Sequence, residues 1–284
     1  MSLVLASIHV YPVKSLGGYT LNEVDLTDRG PEHDRRWMLV DRDGCFLSQR
    51  EVPAMACLHC SPGDDGFIVT DVRDGAHLRL PWEMHAGRAS RVRIWEDEVV
   101  AIAGPAAASE WFTERLRTDV DAMYMPHTSH RAVDPTYAEG TTSLSDGFPY
   151  LIVSASSLDE LNRRGAALAL ERGGHWSPIP MERFRPNLVV SGGVAHQEDG
   201  WTEIRIGSAR FNLVKPCARC VITTTDQSTG TRGAEPLRTL ATYRAAGNKV
   251  LFAMNAMGDQ HGTVRVGDRV TLPGDEAWMD RTDP

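Results

Sequence analysis

The sequence predicts a mainly β protein of the α+β kind, built as two β-barrel-like parts with a few helices. Three observations carry that prediction. Short runs rich in β-branched and apolar residues recur along the 284-residue chain, Asp- and Gly-rich turns separate them, and only three stretches carry helical periodicity. Strands at that spacing indicate barrels or sandwiches. The length accommodates two domains, each with its own core, which we divide as residues 1–120, residues 121–275 and a tail at 276–284.

Composition narrows the function. Hydrophobic content of 42% and charged content of 24% are those of an ordinary globular chain. A net charge of −8 argues against nucleic acid as a partner, because such proteins carry a basic stripe that displaces counterions. No run approaches the roughly 18 apolar residues of a membrane span, and no signal-peptide pattern opens the chain, so no membrane contact and a cytoplasmic location are expected. Five Cys, an odd number, do not suggest a disulfide scaffold and fit a reducing compartment.

Taken in order, Leu3 to Tyr11 reads as a first strand that Pro12 closes, leaving Lys14 and Ser15 just beyond its end. Trp37 to Val40 and Cys45 to Ser48 flank a turn ending in Gly44 and make a hairpin. Arg35 and Arg36 precede it on extended chain, where adjacent side chains face opposite ways, so only one of them enters a pocket. Four short strands follow around Gly66–Thr70, His77–Leu80, Arg91–Trp95 and Val99–Ile102. Ala106 to Arg117 is a helix with Pro105 at its start and Trp111, Phe112 and Leu116 on its apolar face. The polar stretch from Met125 to Leu144 is an irregular loop of the kind that borders functional pockets. Beyond it, Leu144 to Val153 passes through Asp146, Gly147 and Phe148 into an apolar strand, and a helix runs from Ser154 to Arg164.

Phe184 to Gly192 places Arg185 immediately before Pro186, which restricts its direction and suits a bidentate grip on phosphate, with Asn187 beside it. Trp201 to Ile206 and Ala209 to Lys215 form a hairpin that delivers the chemically distinctive stretch, Lys-Pro-Cys-Ala-Arg-Cys-Val-Ile-Thr-Thr-Thr, from Lys215 to Thr225. Lys215 and Arg219 are expected to bring positive charge to Cys220, and nearby cations favour the thiolate that acts as nucleophile or metal ligand. Val221 to Thr225 is a strand signal, whereas thioredoxin-like sites put Cys-x-x-Cys at a helix start, so a redox dithiol is disfavoured. Small buried hydrophobic thiols are the plain alternative for Cys217 and Cys220. Cys57 and Cys60 offer a second Cys-x-x-Cys, but its distance along the chain disfavours a four-Cys zinc site. Pro236 to Arg244 suggests a short helix and Val250 to Asn255 a strand, and Val264 to Leu272 closes the barrel as strand, turn and strand.

Cys-x-Arg-Cys followed by hydroxyl residues, Asp226 and Gly230 resembles the signature of MOSC domains, and the two-part members of that family are the nearest likeness. Tyr11-Pro12-Val13-Lys14-Ser15, Asp34-Arg35, Gln49-Arg50, Ser145-Asp146, Phe184-Arg185-Pro186-Asn187 and Phe252 to Asn255 match further motifs in the family's order. The resemblance implies a molybdenum–pterin cofactor with Cys220 as the single protein ligand to the metal. It implies that Lys14, Ser15, Arg35 and Arg185 reach the phosphate end, with Asn187, Arg219, Asn255 and Asp146 beside the cofactor and Arg36 left at the surface. Gly147 and Phe148 replace the family's hydroxyl-bearing pair, so only backbone contact carries over there, and Ala253 replaces a usual Gly. The implied activity is reduction of N-hydroxylated compounds by oxygen-atom removal, with electrons from a separate iron–sulfur or flavin reductase. A cofactor carrier or sulfur-transfer protein without turnover is the other reading. At the family level alone, pyridoxal phosphate binding is also implied.

Overall fold

The computed structural model describes residues 2–275, so the tail proposed at 276–284 lies outside the described residues. The protein is mainly β. Its largest sheet has nine strands in the order 270–271, 203–206, 209–218, 249–258, 150–154, 188–191, 4–10 and 19–21, with 245–246 paired to the edge of 249–258. A four-stranded sheet runs 37–40, 121–124, 97–103, 89–94, and two three-stranded sheets comprise 263–265, 23–27, 30–31 and 58–63, 66–71, 77–81.

The first strand, Val4–Val10, does not stay with the strands that follow it. It pairs antiparallel with Leu188–Ser191, and Glu23–Thr27 pairs with Thr263–Arg265, so the two ends of the chain are stitched together. Leu5, Ile8 and Val10 accordingly share a core with Ile152, Leu188, Ile204, Phe211 and Val264. A second core gathers Val13, Leu16, Trp37, Phe67 and Phe112 under the helix Ala106–Leu116. The segment joining Val10 to Trp37 therefore runs between the sheets. Lys14 N–H donates to the Trp37 carbonyl at 2.7 Å and Gly17 N–H to the Leu58 carbonyl at 2.8 Å. At Gly17 a side chain would collide with the His59 ring, its ideal Cβ position lying 2.6 Å from that ring.

Tyr150–Ser154 and Leu188–Ser191 form the parallel pair of the large sheet, joined by the crossover helix Ala155–Glu171. That helix runs past the expected end at Arg164, because Ala166 to Leu170 continues the pattern and Gly165 gives room to the Trp176 ring, 2.3 Å from its missing Cβ. Its N-terminus is capped from a distance. Buried Glu198 accepts from Ser154 N–H at 3.1 Å and Ser157 Oγ at 2.7 Å, satisfying groups the helix leaves open.

Three further expectations are corrected. Val221–Thr224 is a 3-10 turn rather than a strand, since Thr223 and Thr224 hydroxyls donate back to the carbonyls of Cys220 and Val221 at 3.0 and 2.7 Å. Asp121–Tyr124, for which no element was expected, is a strand between 37–40 and 97–103. Thr263–Arg265 and Val270–Thr271 join different sheets instead of pairing with each other. Arg36 is buried, not at the surface, donating to the Met125 carbonyl from Nε at 3.2 Å and lying over the Tyr124 ring. The alternation argument fails there because Arg35 takes a left-handed conformation at φ 49°.

Burial pushes the Glu198 carboxyl above the ordinary glutamate range. A raised folded-state value stabilises at low pH and loses that contribution as pH climbs through it. Glu198→Gln keeps the accepting oxygen, so wild type should lose stability relative to this variant as pH rises above the ordinary glutamate range in parallel urea titrations. Glu198→Ala, which uncaps the helix and leaves a void, should cost about 2 kcal/mol at any pH.

Candidate active site

All eleven residues proposed for the site from the sequence line one cleft: Lys14, Ser15, Arg35, Asp146, Gly147, Phe148, Arg185, Asn187, Arg219, Cys220 and Asn255. Four cationic side chains there face a single carboxylate. An anionic ligand is what such a balance accommodates, and in a chain of net charge −8 the concentration of cations is local.

Lys14 sits where the first strand ends and is buried with its ammonium 2.5 Å from Asp146 Oδ1 and over the Phe46 ring. Burial pulls the ammonium down to about 8, against the pull of Asp146 in the other direction. Asp146 itself faces the open cleft, 63% exposed. Crowding opposes its ionisation, but Lys14 and then Arg50 hold its carboxyl below the usual range. Ser15 follows Lys14 at φ 67°, its carbonyl taking a 2.8 Å bond from Gln49 Nε2.

Arg35 and Arg185 come from opposite ends of the chain and meet over Tyr11, their guanidinium carbons 4.5 and 4.3 Å from the ring centroid. Arg35 Nη1 donates to Asp34 Oδ2 at 2.6 Å and Nη2 to the Arg185 carbonyl at 3.1 Å, while Arg185 Nη1 donates to the Leu16 carbonyl at 2.5 Å. Asp34, fully enclosed, also accepts from Tyr11 N–H at 2.9 Å. Burial and then Arg35 pull the Arg185 guanidinium down to about 10, the mark of two like charges forced together. Both arginines, like Ser15, have positive φ, at 49° and 55°. Backbone strain at three residues of one cleft is of the kind that folds retain at functional sites. Asn187 ties the floor together: its Oδ1 accepts from Leu151 N–H at 3.2 Å and its Nδ2 donates to the His9 carbonyl at 3.3 Å.

The Cys motif ends the long strand Ala209–Ala218, and Cys220 stands at the head of the 3-10 turn with its thiol partly exposed. Its cation is not the one expected. Arg219 Nη1 donates to Cys217 Sγ at 3.0 Å and Nη2 to the Phe184 carbonyl at 2.7 Å, while Lys215 lies over the Tyr137 and Phe148 rings at 4.2 and 5.2 Å. Arg50 supplies the contact instead, its Nη2 donating to Cys220 Sγ at 3.2 Å. Among the described residues no three His, Cys, Asp or Glu side chains gather as a metal cluster, and Cys57 turns its thiol toward the Ser228 carbonyl.

Asn255 closes the cleft opposite Lys215, donating weakly to its carbonyl at 3.4 Å. Nearby Ala253 has φ 72°, which explains why glycine suits that position. Gly147 has open space around its Cα, so its backbone is free to meet a ligand, and Phe148 packs inward. The 143–146 loop is held from behind by Arg131, which sequence reading passed over. It donates to the Ser143 and Ser145 carbonyls at 3.2 and 2.6 Å and to Asp97 at 2.8 Å. The cleft opens into an outer vestibule lined by Arg50, Trp95, Asp134, Phe148, Lys215 and Cys217 among others, so the 125–144 loop does border the mouth.

A phosphorylated pterin carrying a metal fits this donor set: four cations, the partly exposed thiols of Cys217 and Cys220, and two buried polar atoms without partners, Arg219 Nε and Tyr150 Oη, on its lining residues.

Fold and cleft together define a two-part β protein with a cation-lined thiol site, and family models confirm the class. The MOSC N-terminal beta barrel domain matches residues 2–119 and the MOSC domain residues 139–271, so the chain belongs to the MOSC family. It is 29% identical over 95% of its length to human mitochondrial amidoxime-reducing component 1, covering 83% of that protein. To human mitochondrial amidoxime reducing component 2 it is 29% identical, covering 94% of this chain and 82% of that one. A tomato (Solanum lycopersicum) molybdenum cofactor sulfurase is 27% identical over 95% of this chain, which spans 36% of it. Among solved structures, the YuaD protein of Bacillus subtilis aligns over 95% of this chain and 94% of its own at 14% identity, with a TM-score of 0.42. Among the described residues no helix is long and apolar enough to cross a membrane.

Because the Lys14 ammonium loses its proton near pH 8, affinity for a small anion such as pyrophosphate should fall as pH rises from 7 to 9. Calorimetric titration of wild type against Lys14→Met checks this, the variant binding more weakly at pH 7 and showing a flatter profile. Asp34→Ala, which leaves the buried Arg35 guanidinium without its carboxylate, should cost about 3–5 kcal/mol in denaturant unfolding.

Proposed function

We propose that this protein is a molybdenum-cofactor-dependent oxidoreductase that reduces N-hydroxylated compounds, amidoximes among them, with electrons from a separate donor protein. The observation that carries the reading is a partly exposed thiol, Cys220, approached by Arg50 in a cleft that Lys14, Arg35, Arg185 and Arg219 also line. The named activity of the amidoxime-reducing relatives, matched nearly end to end, supports it.

Cys220 would hold the metal, and Lys14, Arg35 and Arg185 the phosphate end. Bound there, molybdenum supplies two-electron removal of oxygen from an N–O bond, which with two protons yields the amine or amidine and water. The residues of the chain position and insulate that chemistry. Arg35 and Arg185, stacked over Tyr11 and held by Asp34 and by the Leu16 carbonyl respectively, are already placed before a ligand enters, so little ordering is left to binding. Gly147 and Asn255, the latter on the strand Lys249–Gly258, line the same cleft and would offer backbone and amide groups to the pterin. Asp146, exposed and bonded to Lys14, holds the ammonium proton in the cleft at Nζ and faces the vestibule through which substrate arrives.

The sulfurase relatives support a second reading, a cofactor-binding or sulfur-transfer protein that does not turn over N-hydroxylated substrate. Protein made in a host that synthesises the cofactor should contain about one molybdenum per chain, bound through one thiolate. It should reduce benzamidoxime with an artificial electron donor, and Cys220→Ala should bring that rate to background. Molybdenum without turnover across several N-hydroxylated compounds would select the second reading, and metal-free wild type from such a host would refute both.

A further inference from the structure

Arg50 is held by more contacts than a surface arginine needs. Its guanidinium carbon lies 4.6 Å from the centroid of Trp95, Nη2 is 3.2 Å from Cys220 Sγ, and the same nitrogen is 3.7 Å from Asp146 Oδ2. Its side chain is only 20% exposed. The backbone at this point is clamped as well, because Arg232 Nη2 donates to the carbonyls of Gln49 and Arg50 at 2.6 and 3.1 Å, and the Gln49 side chain is locked between the Ser15 carbonyl and Gln227.

Trp95 completes the clamp. It sits in the turn between the strands Ala89–Ile94 and Asp97–Ala103 at φ 55°, a conformation that costs a bulky residue strain, and its ring edge meets Phe46 at 4.9 Å. Phe46 in turn lies under the Lys14 ammonium at 5.1 Å. A row of contacts thus runs from the vestibule wall through Arg50 to the thiol and through Phe46 to the buried lysine.

A hydrogen bond to a metal-bound thiolate draws electron density from sulfur, weakens its donation to the metal and raises the reduction potential; this is an established lever in metal–cysteine sites. We propose that Arg50, aimed by Trp95, is a positioning residue that tunes the sulfur of Cys220, setting how readily a bound metal accepts electrons. The inference rests on the reading of Cys220 as the metal ligand. Guanidinium is suited to the task because its planar fork stacks on the indole and still presents an N–H toward sulfur, which an ammonium does less well.

The test uses molybdenum-loaded wild type, Arg50→Met, Arg50→Lys and Trp95→Ala, with metal content measured first. In a redox titration followed by electron paramagnetic resonance, Arg50→Met should give a more negative midpoint and altered g-values. Trp95→Ala should move both the same way by less, and Arg50→Lys should recover part of the change. With benzamidoxime, kcat should fall several-fold in Arg50→Met while KM stays near wild type. Should Arg50→Met fail to retain metal, the other two variants carry the test on the same criterion. Midpoint and g-values equal to wild type in loaded variants would overturn the proposal and leave the function intact. Wild type without molybdenum would instead refute the metal-site reading, and with it the role assigned to Arg50.

Discussion

Two guanidiniums held against one tyrosine ring are the constraint on which the rest of this structure depends. Arg35 precedes the strand Trp37–Val40 and Arg185 the strand Leu188–Ser191, 150 residues on, yet Arg35 donates to the Arg185 carbonyl and both stack on Tyr11. Like charges buried this closely are tolerated only with compensation. Asp34 provides it on one side, and the strained left-handed backbone at both arginines provides the direction. The chain's two ends must be paired for this to form, which the antiparallel register of Val4–Val10 with Leu188–Ser191 secures.

From that arrangement the polarity of the site follows. Four cations and a single carboxylate, Asp146, line the cleft, and the strand carrying the Cys motif brings Cys217 and Cys220 to its wall. Hydrogen bonds from Arg50 and Arg219 go separately to Cys220 and Cys217, so the two thiols of the motif have different environments although they are three residues apart. A dithiol pair acting as a unit would not require that division. One thiol addressed from the vestibule side and one from the Phe184 side suits a site where only one of them binds a ligand.

How much of this was legible in the sequence varies with how local the signal is. The strands, the helix Ala106–Leu116 and the cleft residues at strand ends were readable because alternation, turn residues and short motifs lie within a few positions of each other. Arg36 was misplaced because alternation presumes an extended backbone, and the left-handed turn at Arg35 is imposed by contacts with distant residues. Val221 to Thr225 has the composition of a strand, but its hydroxyls satisfy local carbonyls and the preceding strand has already ended at Ala218. Arg131 was passed over, and Arg50 was read only as part of a matching motif with no role, because each acts on a segment far off in sequence, the 143–146 loop in one case and Cys220 in the other. Trp95, an ordinary strand-end aromatic by sequence, gains its meaning only when Arg50 lies on it.

The account stands or falls on the sulfur of Cys220 being bonded to molybdenum. X-ray absorption at the molybdenum edge on the loaded protein, comparing wild type with Cys220→Ser, measures that bond directly. The account predicts that the variant loses one sulfur neighbour from the metal while the remaining sulfur distances persist. An unchanged sulfur count in the variant would contradict it.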